Sequence, residues 1–253
     1  MKRRCESFVL PLIVATLIIF IWQFAVRFSE SAIFPTPMAV LTGIIELARR
    51  GILLKYVVAS LFRVSAGFSL ALVIGIPMGV TIGWSGRAFQ AFNPVIQVLR
   101  PISPIAWIPV AILWFGVSDL APIFLIFLAS LFPVMTASIA AVQNIPLAHL
   151  RAAQNFGVSG TTLFKKVIFP AALPQILTGV RLALGIAWLV VVAAEMIAVT
   201  SGLGYLIIDA RNAGMRYDLV VAGMALIGLI GLILDFLVRR LEQIDEVRWG
   251  FNR

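Results

Sequence analysis

The sequence predicts an all-α membrane protein with six transmembrane helices. Three observations carry this. Of 253 residues, 61% are hydrophobic and only 12% charged, too little charge to cover the surface of a soluble domain of this length. The apolar runs are long enough to cross roughly 30 Å of hydrocarbon as helices of about 20 residues. They are apolar all round, whereas barrel strands would alternate apolar and polar residues. The whole chain, residues 1–253, reads as a single transmembrane domain.

The formal net charge of +9 fits positive residues flanking spans and facing anionic headgroups better than it fits nucleic-acid binding. Cys5 is the one cysteine, so no internal disulfide and no metal site is expected. The basic start followed by 8–26 is too long for a signal h-region and is read as a retained first span.

Phe34-Pro35-Thr36-Pro37 stops that helix. Residues 38–50 (MAVLTGIIELARR) have helical apolar spacing and a charged end, as in an interfacial helix. The second span is expected at about 57–84. The third lies within 92–115, broken by Pro94, Pro101, Pro104 and Pro109. The fourth spans about 120–142, the fifth 180–199 and the sixth 219–238, before a basic tail. Lys and Arg are more numerous on the side holding Arg87, Arg151, Lys165, Lys166, Arg181 and the tail residues Arg248 and Arg253. This bias puts both termini inside, N-in/C-in.

The second span carries small residues four apart, Gly67, Ala71, Gly75, Gly79 and Gly83. They share one helix face and admit a close neighbour, within the subunit or across a dimer. No tandem or inverted repeat is visible, and self-sufficient carriers are commonly built from two related halves. One set of six spans reads as half of an assembly.

No G-x-S-x-G, HExxH, CxxC or G-x-x-x-x-G-K-[ST] occurs. Hydrolytic chemistry and a nucleotide site of the chain's own are therefore not expected. Ionisable residues inside spans are costly and often functional. Glu195, inside VVVAAEMIAV, is a candidate for the translocation path; the alternative is a carboxylate bonded to a neighbouring helix. Arg100, in the proline-broken third span, is a second candidate, because a guanidinium binds oxyanions in a forked geometry; the alternative is an arginine at the interface or on a carbonyl. Asp235 and Arg239 read as an i,i+4 pair.

The longest polar stretch is 144–181, NIPLAHLRAAQNFGVSGTTLFKKVIFPAALPQILTGVR, with the only histidine, His149. Asn144 is expected to cap a helix over 147–155, with Pro146 in its first turn. Gly157 permits a sharp turn. Ser159 or Thr161 caps a second helix, which Pro170 stops or kinks. Two short helices outside the membrane make a knob. Its apolar residues Leu147, Leu150, Phe156, Leu163 and Phe164 can bury in a partner's cleft, or pack only on the chain's own spans.

Within that stretch, Arg151-Ala152-Ala153, Gly157 and, after nine intervening residues, Val167-Ile168-Phe169-Pro170 resemble the EAA loop of ATP-binding-cassette importer permeases, EAA-x3-G-x9-I-x-L-P. Arg151 stands where Glu is usual, Val167 for Ile and Phe169 for Leu. LRPISPIAWIPVAILWFG, PAALPQILTGVRLALGIAWLVVVAAEMIAV, SGLGYLI and ARNAGMRYDLVVAGM extend the likeness over nearly the whole chain. They are similar to the branch importing nitrate, nitrite, cyanate, bicarbonate, taurine or aliphatic sulfonates.

The resemblance implies a type I importer (MetI-like) permease in the bacterial inner membrane. It implies pairing with a second permease copy and docking on two cytoplasmic ATPases, which hold the ATP and magnesium. A periplasmic or lipid-anchored binding protein would deliver a small anionic solute. Arg151, Ala152, Ala153, Gly157, Val167, Phe169 and Pro170 would be ATPase-coupling residues. Arg211 and Arg216 would meet the binding protein at the pore mouth. The competing readings are a self-sufficient carrier or channel, for which uptake without an ATPase would speak, and an intramembrane enzyme, for which no reactive cluster is found.

Overall fold

A computed structural model describes residues 2–29, 34–212 and 214–242; the tail residues Arg248 and Arg253 lie outside them. Helix α1, Lys2–Ser29, contains a 20-residue apolar window, Val9–Phe28, none of it buried against the rest of the chain. Phe20, Phe24 and Phe28 line up at i,i+4 along one face, with centroids 6.3 and 4.8 Å apart. Helix α2, Pro37–Arg49, starts as its sequence dictates: Pro37 opens it and the Thr36 hydroxyl accepts from the Ala39 N–H at 3.2 Å. It is amphipathic, with Val40, Gly43 and Leu47 buried.

Helix α3, Ile52–Trp84, has 33 residues and is about 50 Å long at 1.5 Å per residue. It begins at Ile52 rather than Val57. Its main neighbour is α6, Leu120–Gln143, and the small-residue ladder forms that seam. A Cβ on Gly67 would lie 2.6 Å from the Ile123 carbonyl oxygen, and one on Gly79 2.5 Å from that of Met135. Gly75 meets Val134 and Leu131, Gly83 meets Ile139, and Ala71 is fully buried. The close approach is therefore within the subunit.

The third span differs from its expectation. Helix α4, Gly86–Leu99, starts earlier, with the Ser85 hydroxyl accepting from the Ala88 N–H. A 3-10 turn, Pro104–Trp107, and helix α5, Ile108–Phe115, follow. The two halves are bent by 80°. Ser103, ahead of Pro104, is held at φ −58°, ψ 129°, because a proline disfavours helical geometry in the residue before it. Among the described residues five helices are long and apolar enough to cross a membrane, and this bent pair makes a sixth span if taken as one.

After α6 come α7, Leu147–Asn155; the single turn α8, Gly160–Leu163; a π turn, Phe164–Ile168; and α9, Phe169–Ala198. Two expectations are corrected here. Asn144 does not cap α7: its N–H donates to Ala140 O at 2.9 Å, so it closes α6, and Pro146 holds the position before α7. Of the two outcomes expected at Pro170, a stop or a kink, the stop does not occur: the helix runs on from Gly160 to Ala198. Proline lacks an N–H and its ring crowds the carbonyl four residues back; the wider π turn just before it absorbs that conflict. Ser159 precedes α8 but its side chain makes no cap bond. Helices α10, Leu203–Asn212, and α11, Tyr217–Glu242, complete the fold. α9 packs on α6, with Gly179 directly against Ala137, and α11 lies across α2, α9 and α10.

Candidate functional site

At one end of the bundle α7 and α8 form the knob. Its inner side is continuous with the core. Leu163 and Ile168 are buried with Val80, Val142, Ile145 and Ile176, and Leu150, Ala153 and Phe164 pack on that cluster. The knob is thus seated on the ends of α3, α6 and α9. Its outer side is apolar and open: Phe156 is 87% exposed and Leu147 64%. Arg151, Ala152, His149, Lys165 and Lys166 are exposed around them.

The turn between the helices is a Schellman motif. The Gly157 N–H donates to Gln154 O at 2.9 Å and the Val158 N–H to Ala153 O at 3.0 Å. Gly157 has φ 72°, a left-handed conformation that costs a side chain energy and that proline cannot adopt. Of the remaining motif positions, Ala153 and Val167 are half-buried, and Phe169 and Pro170 are exposed. The motif residues share one compact surface, half of which holds the knob to the spans.

Arg100 sits at the break between α4 and α5. It lines a cavity of about 680 Å³ bounded by α4, α6 and α9, together with Trp107, Phe132, Ala137 and Leu182. Among the described residues its guanidinium has no carboxylate partner. Glu195 does not line this cavity. It is wholly buried toward the end of the bundle opposite the knob.

There Glu195 accepts from Arg63 Nη1 at 2.6 Å, from the Ser60 hydroxyl at 2.8 Å and from the Gly204 N–H at 3.0 Å. Arg63 is satisfied on every side. Its Nη1 also donates to Ser201 O at 2.7 Å, its Nη2 to Ser201 Oγ and Asp119 Oδ1, both at 2.6 Å, and its Nε to Asp119 Oδ1 at 2.9 Å. This network ties α3, α9, α10 and the start of α6 together. It favours the reading of Glu195 as a carboxylate bonded to its neighbours. Sequence reasoning missed Arg63 entirely; the signal was an arginine inside an apolar run, which needs a partner.

The two proposed contact arginines differ. Arg211 is exposed on α10. Arg216 is engaged by its own chain, with Nη2 at 2.7 Å from both Glu46 and Asp218. Those bonds hold the Glu46 carboxyl below its ordinary range and push the Arg216 guanidinium up, its bond to Asp218 leading and that to Glu46 next. Arg216 is therefore first a clasp between α2 and α11. Asp235 pairs with Arg239, as its spacing suggested, and also with Arg181 Nε of α9 at 2.8 Å. Among the described residues no cluster of His, Cys, Asp or Glu could hold a metal ion.

A bundle of membrane-length helices with a cavity among them headed by Arg100 suits the passage of a solute. Comparison with known proteins agrees. Residues 71–244 match the family described as the binding-protein-dependent transport system inner membrane component. The taurine transport system permease TauC of Escherichia coli is 36% identical over 228 residues, 88% of this chain and 82% of that one. The nitrate import permease NrtB of Leptolyngbya laminosa is 40% identical over 182 residues, 72% of this chain and 65% of that one. A structure of the MetNI methionine ABC transporter in an inward-facing conformation shares the fold, with a TM-score of 0.66 at 17% identity over 75% of this chain and 94% of that one.

The chain belongs to this family of inner-membrane ABC importer permeases. It is a transport component and not an enzyme; ATP hydrolysis falls to a partner ATPase, and a solute-binding protein is a further partner.

Proposed function

We propose that this chain forms the translocation path of an importer for a small oxyanion, as a homodimer that docks two cytoplasmic ATPases through the knob. The carrying observation is the double-sided knob: Phe156 and Leu147 open outward, while Leu163 and Ile168 are locked into the core shared by α3, α6 and α9. A groove that grips the outer side moves the inner side with it, and the spans follow. That is how nucleotide-driven closure of the ATPases biases a two-state membrane element.

Arg151, Ala152 and Gly157 present the gripped surface, Ala153 seats it on the core, and Val167, Phe169 and Pro170 carry the push into α9. Arg151 brings positive charge to that surface, so the groove that takes it supplies an acceptor. Arg100 attracts the anion within the path. Taurine and nitrate are carried in the names of relatives; taurine bears a sulfonate group and nitrate is an oxyanion, and a guanidinium fork suits the oxygens of either. With both termini inside, Arg211 faces the binding protein at the outer mouth.

The test is reconstitution with the partner ATPase and binding protein. Gly157→Pro is expected to leave a folded permease but abolish solute-stimulated ATP hydrolysis and uptake. Unchanged coupled uptake in that variant overturns the knob's role, and uptake by this chain alone without ATP overturns the importer reading.

A further inference from the structure

Between Asp119 and Glu195 the sequence holds no Asp or Glu. The knob lies in the middle of that interval and carries Arg151, Lys165 and Lys166, all exposed. Carboxylates one helical turn away would neutralise such cations. The positions four residues either side of Arg151 hold Leu147 and Asn155; those before Lys165 and Lys166 hold Thr161 and Thr162, and those after them Phe169 and Pro170. Elsewhere the chain's carboxylates serve its own arginines: Glu46 takes Arg50 and Arg216, and Asp235 takes Arg181 and Arg239. Among the described residues Arg151, Lys165 and Lys166 make no ion pair. The apolar centre beside them, Phe156 and Leu147, is open as well.

We infer that the knob selects its partner by charge: it fits an ATPase groove with an apolar floor and an acidic rim, and rejects one with a basic rim. This rests on the reading of the knob as the ATPase dock, and adds the sign of the groove and the residues that read it. An apolar core ringed by polar and charged groups is the ordinary build of a protein interface. Rim charges set encounter rate and salt dependence, and like charges brought together exclude wrong partners. Anionic headgroups would also suit cations on this side of a membrane, but the reach of the helix favours protein. Gly160–Ala198 has 39 residues, about 58 Å at 1.5 Å per residue, against about 40–45 Å for hydrocarbon and headgroups together. It is long enough to carry Lys165 and Lys166, in its first two turns, clear of the headgroups.

The full chain in phosphatidylcholine nanodiscs is titrated with the ATPase it assembles with, in the absence of nucleotide and solute. Affinity is expected to fall by about tenfold or more as KCl rises from about 0.05 to about 0.5 M, because screening shortens the reach of exposed charges. At low salt Arg151→Glu is expected to weaken binding by about tenfold or more, and Lys165→Gln and Lys166→Gln by about threefold each. Phe156→Ala removes apolar contact and is expected to weaken binding equally at both salts. Changing a groove Asp or Glu of the ATPase to Lys is expected to weaken the unaltered chain and to restore Arg151→Glu. All these positions on the knob are exposed, and unchanged melting temperatures keep the losses apart from unfolding.

Equal affinity at both salts, or Arg151→Glu binding as tightly as the unaltered chain, overturns the acidic groove and leaves the dock standing. Failure to bind the ATPase even at low salt overturns the dock and this inference with it. If the triple variant Arg151→Gln, Lys165→Gln, Lys166→Gln keeps its ATPase but loses co-purified phosphatidylglycerol, the cations serve lipid headgroups and the inference fails.

Discussion

Arg63 and Glu195, 132 residues apart in the chain, meet at 2.6 Å with side chains 2% and 0% exposed. A buried pair of this kind gives little net stability over an apolar substitute, but removing one partner strands the other charge. Arg63→Leu is accordingly expected to cost about 3–5 kcal/mol, and Arg63→Leu with Glu195→Leu to recover much of it. Denaturation in detergent of the two singles and the double decides the matter; additive losses would mean that the pair does not act as a unit. Asp119, whose side chain is 59% exposed, belongs to the same network, yet its exposure to solvent limits Asp119→Asn to about 1 kcal/mol or less.

The α3–α6 seam makes a second prediction. A side chain at Gly79 would drive into the Met135 carbonyl and the Ser138 Cβ, 2.5 and 2.6 Å from the added carbon. Both belong to the neighbouring helix, and its backbone has nowhere to go without opening the seam. Gly79→Leu is expected to destabilise by about 1–3 kcal/mol or more, as overpacking does. Gly86→Leu, where a Cβ meets nothing within 4 Å, is the matched control. Equal melting temperatures for the two variants would contradict the seam.

The two sides of the knob separate experimentally. Phe156 is exposed and Leu163 buried. Phe156→Ala is expected to leave the melting temperature of the isolated permease alone and to weaken ATPase capture by more than about 1 kcal/mol, as loss of an interface anchor does. Leu163→Ala is expected to cost the permease itself about 2–5 kcal/mol. Pull-down of the ATPase, read beside thermal unfolding, checks both; a Phe156 variant that melts early would place its ring in the core.

The Glu46–Arg216 clasp predicts a pH dependence. The bond to Arg216 depresses the folded carboxyl below its ordinary value. A depressed carboxylate contributes stability that is fully present above the unfolded value and is lost as pH falls through the folded one. The difference in melting temperature between the unaltered chain and Glu46→Gln is thus expected at neutral pH and to shrink progressively as pH falls below the ordinary glutamate value of about 4.3. A difference that persists or grows in acid would rule out the clasp as its source.

Much of the membrane architecture is legible in the residues, because crossing a bilayer demands length and apolarity that local sequence must itself supply. The spans, the amphipathic α2 with its Thr36-Pro37 start, the broken third span and the turn at Gly157 all follow from local patterns. The motif Arg151 to Pro170 marks the knob for the same reason: its spacing is written in consecutive residues. The course of the helix through Pro170 was not legible, since a proline states a conflict but not whether a π turn resolves it.

What the sequence by itself determined is an all-α importer permease of five or six spans with a two-helix polar stretch between two of them. Only the tertiary structure decided which charges are structural and which face open space. Arg63 on α3 and Glu195 on α9 neutralise each other, and Arg216 finds Glu46 on a helix 170 residues away, while Arg100 is left facing a cavity. A charge carries the same cost of burial wherever it sits in an apolar run. Whether a partner meets that cost depends on residues far off in the chain, which only packing brings near.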